Sequence, residues 1–148
     1  MSAAQASPTV EVRGLIRRLR WVMVAVILVD MLLTWIGQPA SYWSDPSTVH
    51  EGNRLFHWVM TKGYLVALLV KLLYTAGTFL LVSILPWRLG LILLFASTLG
   101  HYFGASTWLC YRYQLGATGM VLYGVLLATV IMAVGFHAGL KKPQTDPP

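Results

Sequence analysis

Three ionisable side chains lie inside runs of apolar residues, where each needs a polar partner. Asp30 interrupts the run WVMVAVILVDMLLTWI, Lys71 lies within LLVKLL, and His101 lies within a third apolar run. A charge at the centre of a membrane helix costs roughly 3 kcal/mol on insertion scales, so such groups usually face a bundle interior or a cavity. The chemistry open to this set is ion pairing, proton transfer, or both.

Their depths along the predicted helices place the three side chains in one layer. Counted from the ends that share one membrane surface, Asp30 is about seven residues deep, Lys71 about eight and His101 about nine. At about 1.5 Å per residue, all three lie roughly 10 to 14 Å below that surface. We therefore expect Asp30 and Lys71 to pair. Thr34, one helical turn from Asp30, is placed to hydrogen-bond its carboxylate.

A second polar group, formed by Glu51, Asn53 and His57, lies in and after the loop that follows the first span. Side-chain oxygens of Glu51 and Asn53 are expected to cap a short helix, and a substrate-facing role is the alternative. The residues of both groups that could ligate zinc are Glu51, His57, Asp30 and His101. The sequence holds neither a His-x-x-x-His nor a Glu-x-x-His motif among them, so no metal site is predicted.

Other cofactor and enzyme classes lack their characteristic residues. Only His101 is deep, so two-histidine haem ligation is not expected, and the sequence has no Gly-x-Ser-x-Gly motif for a serine nucleophile. Cys110 is the single cysteine, which excludes an intramolecular disulfide and a Cys-x-x-Cys redox pair. The sequence therefore predicts no cofactor.

The composition is that of a membrane protein. Of 148 residues, 57% are hydrophobic and 11% charged, and the mean hydropathy is +0.65. The net charge of +6 could suggest a nucleic-acid partner, but the basic residues lie at the ends of apolar runs. The expected partner is the lipid bilayer, and no nucleic acid is expected.

The elements that must position the polar layer are four membrane helices. The sequence predicts an all-α, integral membrane four-helix bundle, and its spans are 19–37, 63–84, 89–110 and 117–140. A short interfacial helix is predicted at 54–61, a disordered cytoplasmic tail at 1–18, and a cytoplasmic tail at 141–148. The first span could instead be a secretory signal, but it is long for one and contains Asp30.

The distribution of basic residues predicts the orientation. Seven flank the spans on one side, Arg13, Arg17, Arg18, Arg20, Arg88, Lys141 and Lys142, and three lie on the other, Arg54, Lys62 and Arg112. Because basic residues accumulate on the cytoplasmic side, both termini are expected to be cytoplasmic, in a cytoplasmic (inner) membrane. The loop that carries Glu51 then faces outward.

Small residues at intervals of four predict close helix packing. Ala96, Gly100 and Gly104 form one such stripe in the third span. The fourth span holds two more, Gly124 with Ala128 and Gly135 with Gly139. These faces are expected to pack within the bundle, against a second copy, or against another membrane protein.

Three motifs in order resemble a known pattern. They are Asp30-x-x-x-Thr34, Glu51-Gly52-Asn53 and Lys71 within LLVKLL. Together they resemble an uncharacterised family of small bacterial and archaeal membrane proteins, defined by Asp-x-x-x-Thr, Glu-x-Asn-Pro and an intramembrane lysine. The resemblance covers residues 24–85, and Arg54 stands where the family usually has proline. It implies a small multi-span membrane protein and carries no activity.

Two functions remain open. The first is a non-enzymatic accessory or interaction protein that packs through its small-residue faces, with Asp30 and Lys71 as a structural ion pair. The second is a small membrane enzyme or a proton- or ion-coupled carrier, in which Asp30 accepts protons and Lys71 tunes its charge. An aqueous opening beneath Glu51 distinguishes them, because a structural pair can be dry.

Overall fold

The computed structural model describes residues 8–139, with side chains described for residues 12–137. Within that range the chain forms five α-helices: α1 (Pro8–Ile36), α2 (Arg54–Met60), α3 (Tyr64–Ile84), α4 (Trp87–Thr107) and α5 (Gly116–Gly139). Helices α1, α3, α4 and α5 are long and apolar enough to cross a membrane. The predicted all-α, four-span class is confirmed.

The ends of the bundle define two faces. Four crossings place the start of α1, the end of α5 and the α3–α4 turn on one face, which we call the terminal face. The opposite face, which we call the loop face, holds residues 37–63 and the α4–α5 connection. The bounds of the last two predicted spans differ from those of the observed helices. Helix α4 ends at Thr107 and continues as a π-helix, Trp108–Arg112, and α5 starts at Gly116 rather than at residue 117.

The N-terminal part of α1 differs from the prediction. Residues 8–18 were predicted to be disordered, but they form the first turns of α1, with Pro8 at its first position. The physical reason is an apolar face: Ile16 and Leu19 are buried, and Val12 and Leu15 pack against the same cluster. Residues 1–7 and the predicted tail 141–148 lie outside the described range.

An apolar cluster fills the terminal half of the bundle. Helices α1 and α4 form the central pair, and α3 and α5 each contact both. The buried members of the cluster come from α1, α3 and α4 and are Ile16, Leu19, Met23, Ile27, Val82 and Leu94. The buried members of this cluster are all apolar, while the same helices also bury Thr78 and Thr98, and the Thr98 hydroxyl donates to the Leu94 carbonyl at 2.7 Å.

Helices α3 and α4 approach each other closely at their shared turn. Pro86 is the N-cap residue that precedes α4. A Cβ atom at Gly90 would lie 3.0 Å from the carbonyl oxygen of Val82. Glycine at this position therefore allows the two backbones to touch. The space between α3 and α4 on the loop side of the apolar cluster is not filled in this way, and the candidate site lies there.

The 38–53 loop is held against the bundle by buried contacts. Gln38 donates from Nε2 to the carbonyls of Thr34 (3.0 Å) and His50 (2.9 Å), and its Oε1 accepts from the His50 N–H (2.8 Å). Tyr42 is buried and donates to the Met60 carbonyl at 3.3 Å. These hydrogen bonds hold the loop against the loop face of the bundle.

Candidate functional site

Asp30, Lys71 and His101 meet in the middle of the bundle, each from a different helix. Lys71 Nζ lies 3.2 Å from Asp30 Oδ2, and His101 Nδ1 lies 2.7 Å from the same oxygen. The exposed fraction of the three side chains is 10% for Asp30 and Lys71 and 16% for His101. The three side chains predicted to share one layer are in contact, while their functional role stays a prediction.

The distances assign the protons within this cluster. A 2.7 Å contact between Nδ1 and a carboxylate oxygen requires a proton between them, so Nδ1–H donates to Asp30. Lys71 also donates to Oδ2, and the 3.4 Å between Nζ and Nδ1 then separates two donors. His101 is thus bound to Asp30 through Nδ1, and its Nε2 makes no hydrogen bond within the described residues.

Gly104 makes room for the carboxylate. A side chain at this position would lie 2.6 Å from Asp30 Oδ1 and 3.2 Å from its carboxyl carbon. Because real Cβ atoms do not approach that closely, only glycine allows Asp30 to lie against α4. Gly100, one turn away, has no atom within 4 Å of the equivalent point. The predicted stripe is therefore not one continuous packing face.

A cavity of about 1210 Å³ lies above the cluster, between the cluster and the loop face. Asp30, Lys71 and His101 line it together with Thr34 and Ser97. Its other lining residues include a set of aromatic side chains, Phe56, Trp58, Tyr74, Trp108 and Tyr111. The Asp30–Lys71 pair therefore borders a large space rather than a dry helix interface.

Some of the residues that line the cavity are exposed, both at the loop face and at membrane depth. At the loop face these include Asn53, Trp58 and Tyr111, and at membrane depth they include Tyr74 and Gly100. The cavity is therefore open at the loop face and also along the side between α3 and α4. On the terminal side, the apolar cluster closes it.

Glu51 and Asn53 form the loop-face rim of the cavity. Asn53 caps α2 as expected, accepting from the N–H groups of Leu55 (3.0 Å) and Phe56 (3.1 Å). Glu51 instead accepts from the Asn53 N–H at 2.7 Å. Burial raises the pKa of Glu51, and the charge of Asp30 raises it further, against the opposing effects of the Asn53 hydrogen bond, Lys71 and His57.

Two predicted site residues are placed differently from expectation. Thr34 is buried and lines the cavity, but within the described residues no hydrogen bond joins its side chain to Asp30. His57 is half-buried in α2 and is not among the residues that line the cavity, although its charge acts on Glu51. Within the described residues, neither side chain forms a hydrogen bond with Asp30, Lys71 or His101.

Several site residues were missed from the sequence. Tyr74 packs edge-on against the His101 ring, with 5.5 Å between the ring centres. The ring centre of Phe56 lies 5.0 Å from Lys71 Nζ. Arg112 lines the cavity, and its Nε donates to the Gly37 carbonyl at 2.7 Å. The sequence placed Arg112 in a turn, but the π-helix brings it to the cavity, and π-helical turns are frequent at functional sites.

The donor set does not form a metal centre in the part of the chain that the structure describes. Within residues 8–139, no group of three or more His, Cys, Asp and Glu side chains is close enough to hold a metal ion. The chemistry available to the site is hydrogen bonding, ion pairing and proton transfer at His101 Nε2.

Comparison with known proteins gave no relative. The chain matches no model of a protein family, no curated protein and no solved structure.

Proposed function

We propose that this protein binds a small molecule in the cavity and uses the Asp30–His101 pair as a proton acceptor, as a small membrane enzyme would. The observation that carries the proposal is the cavity of about 1210 Å³ with the ionisable cluster in its floor. Side chains that serve only packing have no need of such a space. Functional pockets typically combine apolar walls with a few convergent polar groups, as this one does.

Each member of the cluster has a role in this proposal. Asp30 holds His101 in the tautomer whose Nε2 accepts a proton, an arrangement that catalytic carboxylate–histidine pairs use. Lys71 pairs with Asp30 and offers a positive charge to an anion that develops on the bound molecule. Glu51, whose pKa burial raises, places a carboxyl group at the rim of the cavity.

The closed terminal half favours binding and reaction over transport through the bundle. A carrier needs access to its site from both faces in turn, and the cluster around Met23 and Ile27 blocks the terminal face. A carrier would have to separate α1 from α4, which are the most extensively packed pair. We therefore place the carrier function second to the enzyme.

We further propose the orientation and membrane that the basic residues indicate. Seven basic residues on the terminal side and three on the loop side favour cytoplasmic termini in a cytoplasmic membrane. The cavity then opens to the outside of the cell. The resemblance to the uncharacterised family of small membrane proteins stays part of this proposal.

The accessory function remains a second candidate because α5 is exposed. Its large exposed side chains include Val121, Leu122, Val125, Leu126, Met132 and Phe136. Gly124 is already used inside the chain, since a side chain there would lie 2.8 Å from the Tyr102 hydroxyl. Gly135 has open space around it and is the position where a second helix could approach.

Cysteine labelling in nanodiscs tests whether water reaches the cluster. In a Cys110→Ala background, Ser97→Cys places a thiol beside the cluster in the cavity lining, and Thr98→Cys places one in the buried interior of the same helix. We expect a water-soluble thiol reagent to label position 97 and to leave position 98 unlabelled. If position 97 is as unreactive as position 98, the cavity is dry and the proposed function fails.

A further inference from the structure

Arg112 is an anchored charge at the loop-face end of the cavity. Its Nε donates to the Gly37 carbonyl, and the side chain is exposed and lines the cavity. Within the described residues, the bond from Nε to the Gly37 carbonyl is the one hydrogen bond of the Arg112 guanidinium. Its two terminal nitrogens are therefore available to a ligand, in the fork geometry that suits phosphate and carboxylate groups.

The charge of Arg112 is not compensated by an acidic residue of the described chain. The ion pairs in that range both involve Asp30, which already holds Lys71 and His101. Glu51, the other acidic residue in the cavity lining, is bound to the Asn53 N–H. Of the two Lys and Arg side chains in the cavity lining, Lys71 is paired with Asp30, and Arg112 forms no ion pair within the described residues.

The shape of the cavity fits a molecule that comes from the bilayer. Its volume of about 1210 Å³ exceeds the roughly 300 to 1000 Å³ of sites for drug-sized ligands. Val70, Tyr74 and Gly100 line it and are exposed at membrane depth, so acyl chains can enter from the side. The aromatic side chains around it provide an apolar wall between the loop face and the cluster.

We propose that the ligand is an amphiphile with an anionic phosphate or carboxylate head group, whose head binds Arg112 and whose apolar body lies along the aromatic wall. This proposal rests on the proposed function, because it names the ligand class of the same cavity. The head group lies at the level of the membrane interface, where anionic lipid head groups lie. The bound molecule then extends toward His101 Nε2 and Lys71.

Lipid binding to the purified full-length protein tests this proposal. Native mass spectrometry in detergent with equal amounts of phosphatidylglycerol and phosphatidylcholine measures which lipid stays bound. Because the choline of phosphatidylcholine offsets the charge of its phosphate, we expect a preference of about tenfold or more for phosphatidylglycerol. Arg112→Gln should abolish this preference. Arg88→Gln, an exposed arginine at the α3–α4 turn, is the matched control and should keep it.

Two further arms separate the ways in which the proposal can fail. Inorganic phosphate that raises the melting temperature through Arg112, with no preference between the lipids, overturns the amphiphile and indicates a free anion as ligand. Equal binding of both lipids that Arg112→Gln leaves unchanged overturns the anionic head group. Gly100→Trp, which fills the cavity, then decides the proposed function: the function stands if lipid of either class is lost, and fails if lipid is retained.

Discussion

The Asp30 carboxylate occupies the space that a side chain at position 104 would fill. A Cβ atom there would lie 2.6 Å from Oδ1, while Oδ2 receives both Lys71 and His101. The close approach of α1 to α4 at this point therefore depends on glycine. Small residues in membrane helices are commonly explained by helix packing alone, but here one of them positions an ionisable group.

Gly104→Ala is expected to displace Asp30 from the cluster. Because the added methyl group meets a carboxylate rather than a flexible apolar tip, the pair with Lys71 breaks or α1 moves. Breaking a buried ion pair costs about 3 to 5 kcal/mol in soluble proteins, and we expect a loss of this order in the free energy of unfolding in mixed micelles. Gly100→Ala is the control, and its open surroundings predict no loss. Equal stability of the two variants would contradict the proposed role of Gly104.

Substitution of Asp30 and Lys71 should separate packing from function. Lys71→Met leaves a buried carboxylate and Asp30→Asn a buried ammonium, so each alone should lower stability by about 3 to 5 kcal/mol. The double variant removes both charges and should recover much of that loss. We expect it to accumulate in the membrane and to keep the lipid that Arg112 binds, but to lose the His101 tautomer that Asp30 fixes. A double variant with the wild-type tautomer of His101 would make the pair a packing device.

Glu51 should make stability depend on pH. A raised pKa means that the folded state binds the proton more tightly than the unfolded state, whose value is 4.5. The stabilising contribution is therefore fully present below pH 4.5 and is lost as the pH rises through the higher folded pKa. Melting temperatures measured across this range should fall for the wild type and stay flatter for Glu51→Gln, whose amide oxygen can still accept from Asn53.

Asp45 provides a comparison of opposite sign. Hydrogen bonds from Ser47 lower the pKa of Asp45, so its contribution is present at higher pH and is lost as the pH falls. Asp45→Asn should therefore remove a rise of the melting temperature with pH, whereas Glu51→Gln removes a fall. If both substitutions change the slope in the same direction, the electrostatic description of the rim is wrong.

Two glycines of α5 should behave differently. Gly124→Ala places a methyl group against the Tyr102 hydroxyl, which itself donates to the Met120 carbonyl at 3.1 Å, so it should loosen the packing of α5 on α4. Gly135→Ala meets open space and should leave the monomer intact. Cross-linking in nanodiscs tests the accessory function: we expect both variants to cross-link as the wild type does. Loss of a dimer in Gly135→Ala alone would favour the accessory function.

The sequence predicted the membrane helices and the meeting of the charged residues for a simple reason. Hydropathy sets the spans, and a rise of about 1.5 Å per residue converts position into depth. Asp30 and Lys71 could thus be paired without knowledge of the packing. The helical start of α1 was missed because its apolar face, formed by Val12, Ile16 and Leu19, is short and interrupted by arginines.

The cavity and its rim could not be predicted in the same way. Gly100 and Gly104 are equivalent members of one small-residue stripe in the sequence. Only the packing of α1 shows which of the two glycines a carboxylate approaches. Arg112 follows an apolar run that ends at Cys110 in the sequence, and the π-helical turn that redirects it has no local sequence signal. Gln38 lies in a polar loop, where its buried bridge to His50 depends on the loop path.

Nitrogen-15 NMR of labelled histidine tests the central claim most directly. With the signal of His101 identified by its loss in His101→Asn, we expect the ring to carry a proton on Nδ1, because this nitrogen contacts Asp30 Oδ2. A ring whose single proton lies on Nε2 would contradict the proposed proton-accepting site and leave the cluster as a packing contact.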